Sequence, residues 1–221
     1  MAIESKGTNA EPSFRERHSL TIRIWHWTTF VTIFGSLITV LLAKTLFNTR
    51  VNISLVQENL QKSSVTVSAA QARSVAHEFN DLVWNWHTYI GYVLTGLFVF
   101  RILIEFFQPK EQKLIRAIKK ALKYLKMPGA EKKETKHYLL VKALYLFFYF
   151  SLLVQTSTGL FMVYSDDVDS LKNARSIASD FHSVFMWVII TYIVAHLGGV
   201  VLAEIGKKNK GIVSDMINGG E

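Results

Sequence analysis

His182 and His196 stand 14 residues apart in one apolar run, "HSVFMWVIITYIVAHLGG". In a helix that spacing is about 3.9 turns, so both imidazoles face the same way, roughly 21 Å apart along the axis. An ionisable ring in so apolar a segment is costly unless a partner takes up its polarity. His26 opens a second apolar run, "RIWHWTTF", and His87 opens a third, "HTYIGYVLTGLFVFRILIEF". A neutral imidazole offers one nitrogen lone pair to a metal and one N–H to an acceptor. The chain has seven histidines and no cysteine. Disulfides, thiolate-held iron–sulfur clusters, zinc ribbons and covalent CxxCH haem attachment are thereby excluded, and any metal must be held by His, Met or carboxylates.

The elements that must carry these rings are apolar blocks at residues 23–43, 83–107, 138–164 and 181–203. Each reaches the roughly 20 residues needed to cross a bilayer as a helix. Half of the 221 residues are hydrophobic, mean hydropathy is positive, and the net charge is +8. The first block is too long for a cleavable signal, and no clear small-residue cleavage site follows "LLAKTLFN". Basic residues report orientation. Residues 108–137 carry ten Lys/Arg against three acids, whereas 45–82 has three Lys/Arg and 165–181 has two with four Asp. The N-terminal tail adds Lys6, Arg15, Arg17 and Arg23, and the C-terminal tail Lys207, Lys208 and Lys210. The positive-inside rule places both tails and the 108–137 loop in the cytoplasm. The expected fold is an all-α membrane protein, a four-transmembrane-helix bundle with N-in/C-in topology and a single domain over 1–221. Tails at 1–22 and 204–221 and external loops at 44–82 and 165–180 complete it. Within the basic loop Leu114, Ile115, Ile118, Leu122 and Leu125 recur at helical spacing among lysines, ending at "MPGA". This is an amphipathic helix suited to anionic lipid headgroups, and its place between two spans argues against nucleic acid. Residues 68–82 also have helical periodicity and feed into the second span.

Topology then matches the rings in depth. Span 1 starts inside, so His26 is level with His196; span 2 starts outside, so His87 is level with His182. Two cross-span pairs, His26/His196 and His87/His182, suit two haem b groups, each held by two axial imidazoles. Zinc prefers more ligands at one point, and a proton relay needs no matched pairs. Gly91, Gly96, Gly198, Gly199 and Gly35 follow the histidines and would let backbones part around a macrocycle, or serve ordinary small-residue helix packing. Arg101, 14 residues after His87, falls at the depth of the His26/His196 pair. Its partner is either a haem propionate or Glu105 at i+4.

"RIWHW", the His87 span, the His182–His196 span and the tail "GIVSDMING" together resemble the bacterial cytochrome b561/nickel–iron hydrogenase b-type cytochrome superfamily, over residues 15–220. The resemblance is also to the membrane subunits of formate dehydrogenase and thiosulfate reductase. It implies a four-helix di-haem subunit of the bacterial inner membrane, with His26, His87, His182 and His196 as ligands. Electrons would pass between the quinone pool and a redox partner protein or soluble acceptor. Where relatives often carry "HNP" at the start of span 3, this chain has "KHYLLVK". His137 matches the first position, and with Lys142 and Arg101 it marks a candidate quinone site at the cytoplasmic end. His18 and His77 read as surface residues. Two other functions compete. One is a stand-alone oxidoreductase moving electrons between quinone and a small oxidant such as superoxide. The other is a haem-free transporter or scaffold. Small residues on the spans leave room for a homodimer.

Overall fold

The computed structural model describes residues 19–107, 113–126, 132–165, 168–206 and 211–219. His18, Lys6, Arg15, Arg17, Lys207, Lys208, Lys210 and the "MPGA" stop lie outside them. The described chain is helical: α1 (Leu20–Lys44), α2 (Thr49–Lys62), α3 (Ala69–Phe107), α4 (Leu114–Leu125), α5 (Lys132–Tyr164), a 3-10 turn (Asp169–Leu171), α6 (Lys172–Ile205) and α7 (Ile212–Asn218). Four of these helices (α1, α3, α5 and α6) are long and apolar enough to cross a membrane.

The helices start where side chains can take the orphan amides of a first turn. Ser19 accepts the amide of Ile22 at the head of α1 (3.4 Å), and Asn48 accepts that of Arg50 at the head of α2 (3.0 Å). Ser68 and Gln71 form a reciprocal capping box before α3, at 3.2 and 2.9 Å. The helices also outrun the apolar blocks. With 39 residues, α3 is about 58 Å long, well beyond a hydrocarbon core of roughly 30 Å. Its first part, 69–82, continues the span as expected and carries α2 against it. The Asn80 amide ties this extension to the end of α1, donating to Ala43 O (3.1 Å) and Phe47 O (2.8 Å). At the other loops α5 begins at Lys132 and α6 at Lys172, so segments read as connections are helical. Backbone hydrogen bonding continues past the apolar residues because polar side chains tolerate a helix equally well. The short α2 and α7 are additions that the apolar blocks did not reveal.

Neighbouring helices pack in the order α1, α3, α5, α6, and α4 lies on α5. Of the apolar face expected to meet headgroups only Leu114 is buried, together with Ala117 and Ala121 where α4 lies on α5, while Ile118 and Leu125 are half-buried. Ile115 and Leu122 stay exposed beside Arg116, Lys119, Lys120 and Lys123. The bundle centre is apolar: Ile33, Leu94, Phe98, Leu152 and Ile189 are buried together, with Leu37, Phe148, Tyr149 and Ile193 around them. Away from Ile189, α6 packs only sparsely on α1 and α3 among the described residues. A gap is left along that side, and the histidines line it.

Candidate functional site

Across this gap the rings meet in two facing pairs. His26 on α1 and His196 on α6 have ring centroids 6.3 Å apart with planes at 58°; His87 on α3 and His182 on α6 are also 6.3 Å apart, at 78°. Two imidazoles bound to one metal from opposite sides, each through a bond of about 2 Å, have centroids roughly 6.4 Å apart. The spacing therefore suits a metal between the rings, and it also lies within the roughly 4.5–7 Å range of edge-on ring pairs. Among the described residues no group of three or more His, Asp or Glu converges on one point, which leaves two-imidazole centres and not a tetrahedral site.

Hydrogen bonds fix the His87 ring. The Thr39 hydroxyl donates to Ser36 O at 2.6 Å, so its one proton is committed, and it accepts Nδ1–H of His87 at 2.9 Å. Ser36 Oγ stands 3.4 Å from the same nitrogen. Nε2 of His87 is left with its lone pair toward the gap. His182 repeats the arrangement: Thr158 donates to Val154 O at 2.7 Å and accepts from Nδ1 at 3.1 Å. The Gln155 amide sits on Nε2 of His182 at 2.9 Å, while Gln155 Oε1 is buried without a partner among the described residues. A metal at this nitrogen requires that half-satisfied side chain to turn aside, at the loss of one hydrogen bond of about 1 kcal/mol. Gly159 lets the ring approach α5, since a Cβ there would stand 3.2 Å from His182 Cε1.

The His26 end is built differently. Trp27 meets the His26 ring edge-on at 5.3 Å, and Tyr192 stacks parallel to His196 at 6.0 Å and on Phe148 at 4.7 Å. Trp25 is buried and anchored by its indole N–H to Leu97 O at 2.8 Å. Of the glycines read as making room, Gly91, Gly96, Gly198 and Gly199 face open space, whereas Gly35 packs near Ile90. Open space beside α3 and α6 suits a planar macrocycle, and so the residues present fit haem at both ends.

Arg101 has the nearer of its two expected partners. Its Nη1 and Nη2 donate to Glu105 Oε2 at 3.2 Å, its Nε donates to the Tyr149 hydroxyl at 3.0 Å, and it lies over the Trp25 and Tyr149 rings at 5.9 and 5.1 Å. Glu105 also accepts the Leu114 amide at 2.7 Å, joining Arg101 to the head of α4. Two guanidinium N–H groups remain for a further acceptor. The residues read as a quinone site are not gathered together. His137 is exposed near the start of α5, and helix geometry turns Lys142 about 140° from it. Lys142 instead has its ammonium over Tyr138 and Tyr145, at 5.1 and 5.6 Å. His77 is exposed on the extension of α3.

Sequence reasoning missed Thr39, Thr158 and Gly159. Hydroxyl residues inside apolar spans were the available signal for the first two, because each must find an acceptor there.

The geometry thus offers a helical bundle with two dihistidine gaps at two depths. Among known families, the profile of the prokaryotic cytochrome b561 family matches residues 17–219. Neither the curated proteins nor the solved structures compared with the chain yield a match. The match spans nearly the whole chain, and the chain belongs to the prokaryotic cytochrome b561 family, membrane b-type cytochromes that carry electrons.

Proposed function

We propose that this chain is a di-haem subunit of the bacterial inner membrane that passes electrons between the quinone pool and a redox partner. The observation that carries the reading is the pair of 6.3 Å imidazole separations, one at each end of α6. In this reading His26 and His196 hold the haem at the cytoplasmic side, and His87 and His182 hold the other. Haem held by these pairs would supply a one-electron ferric/ferrous couple, and two imidazoles for each haem would suit electron transfer and not substrate chemistry at iron.

The protein's part is to position and insulate. Thr39 and Thr158 keep their histidines in the Nδ1–H form and so present Nε2 to iron. Ile33, Leu94, Phe98 and Leu152 exclude water from the space between the two ends. Arg101 sits close to the His26 end and can give its remaining N–H groups to a propionate. The charge pattern supports N-in/C-in topology. A quinone headgroup would find donors at Lys142, Tyr138 and Tyr145 near the cytoplasmic surface, where protons are at hand. His137 lies on the same side.

Anaerobic mixing of the purified haem-loaded protein with a short-chain quinol tests this. Reduction of both haems, followed by slow reoxidation until a partner is supplied, is the expected course. Steady turnover of quinol with superoxide by the isolated chain would favour the stand-alone oxidoreductase. Failure of quinol to reduce either haem would refute both.

A further inference from the structure

The seven-residue helix α7 lies past the last apolar span, where the sequence shows only a basic tail. It is bracketed by Gly211 (φ 93°) and Gly219 (φ 87°), two left-handed positions that side-chain-bearing residues rarely adopt. At its start the Gly211 amide donates to both carboxylate oxygens of Glu204 on α6, at 3.2 Å each, eight residues after His196. At its end two carbonyls accept from side chains of α1. Trp27 Nε1 donates to Met216 O at 2.9 Å, and Arg23 Nη1 to Ile217 O at 3.2 Å. A cation at a helix C-terminus is further favoured by the helix dipole. Helix α7 thus runs from the helix that carries His196 to the helix that carries His26, and those two helices have little direct packing.

Arg23 is held closely. The guanidinium lies where a Cβ on Gly219 would be 3.2 Å from Nη1 and 3.4 Å from Cζ. Yet its Nε is buried with no acceptor among the described residues. A buried charged donor is costly to leave unmade, so this N–H calls for an acceptor that is not supplied by the described protein. Arg23 lies three residues before His26, one turn farther toward the chain end and within about 60° of the same helical face. The acceptor that fits is a carboxylate entering from the His26/His196 gap.

We propose that α7 is a clasp that sets the α1–α6 separation at the His26 end and presents Arg23 to a propionate of the haem held there. This rests on the di-haem reading. Arg23 would bind the cofactor; Trp27 and Gly219 are positioning residues that act through it.

The test uses the full-length, haem-loaded protein and follows two quantities for each haem: its midpoint potential and its rate of loss to excess apomyoglobin. A His26→Ala variant identifies the spectrum of the haem that remains at the His87 end. Arg23→Gln is expected to lower the potential of the His26-end haem, because a nearby positive charge disfavours the ferric state, and to speed its loss several-fold. Arg23→Lys should restore most of the potential. Trp27→Phe and Gly219→Val should speed loss at the same end. The His87-end haem, unchanged throughout, reports that each variant is folded. Unchanged potentials and loss rates in both Arg23→Gln and Gly219→Val would overturn the clasp, as would equal losses at the two ends. A wild-type protein that takes up no haem would instead refute the di-haem reading itself.

Discussion

Replacing Thr39 with Val keeps the side-chain shape and removes only the hydroxyl that accepts from His87 Nδ1 at 2.9 Å. The donor is then left with Ser36 Oγ at 3.4 Å, a poor substitute at the edge of hydrogen-bonding distance. A buried donor without a partner costs about 1–3 kcal/mol, and Ser36 can recover part of it, so a net loss of about 1–2 kcal/mol is expected. That corresponds to roughly 5- to 30-fold weaker haem retention at the His87 end, since about 1.4 kcal/mol is a factor of ten. The bond also polarises the imidazole, which helps the ferric state more than the ferrous. If about half of the loss, roughly 0.5–1 kcal/mol, falls on the ferric form alone, the potential rises by about 20–40 mV. Spectroelectrochemical titration resolves the two haems, and haem transfer to apomyoglobin gives the loss rates. The reasoning fails if Thr39→Val leaves the potential and retention of that haem within error of the wild type. It also fails if the His26-end haem moves equally.

Other consequences follow from contacts equally specific. Gly159→Ala places a Cβ 3.2 Å from His182 Cε1, closer than the roughly 3.5 Å of a comfortable carbon contact, so the ring must shift off Thr158. Overpacking of this kind costs about 1–3 kcal/mol, and haem titration should show the His87-end haem bound several-fold more weakly with the other intact; equal binding at both ends would contradict the packing. Glu105→Ala removes the partner of a guanidinium whose side chain is 11% exposed and also the acceptor of the Leu114 amide. Stability in detergent should fall by roughly 3 kcal/mol, at the low end for a buried pair because Tyr149 and Trp25 still contact Arg101. Glu105→Gln, which can still accept the amide, should fall less, and a melting curve that ranks Gln below Ala would refute this assignment.

What the sequence discloses here is set by which interactions leave a period or a composition behind. The His182–His196 spacing and the apolar runs exposed the four long helices and the facing pairs, because helix pitch converts a residue count directly into direction and depth. For Arg101 the i+4 rule found Glu105, whereas the Tyr149 hydroxyl comes from another helix, which no local pattern encodes. The hydroxyls of Thr39 and Thr158 were visible as polar residues in apolar runs, but their pairing joins α1 to α3 and α5 to α6, which no local pattern encodes. Helix α7 was hidden for another reason. It is held by backbone carbonyls that accept from Arg23 and Trp27, and carbonyls are the same in every sequence. His137, Lys142 and Arg101 were read together from their common level at the cytoplasmic end, yet five residues of helix turn His137 and Lys142 to different faces.

The central claim is that the two facing imidazole pairs each hold one haem b. The direct measurement is a dithionite-reduced minus oxidised visible spectrum of the purified protein, with pyridine haemochrome quantitation per chain. The account predicts low-spin haem b at two per chain, falling to one in His26→Ala and to one in His87→Ala, with distinguishable spectra for the haem that remains. A protein expressed with ample haem that shows no Soret band, or that keeps both haems in either variant, would contradict it.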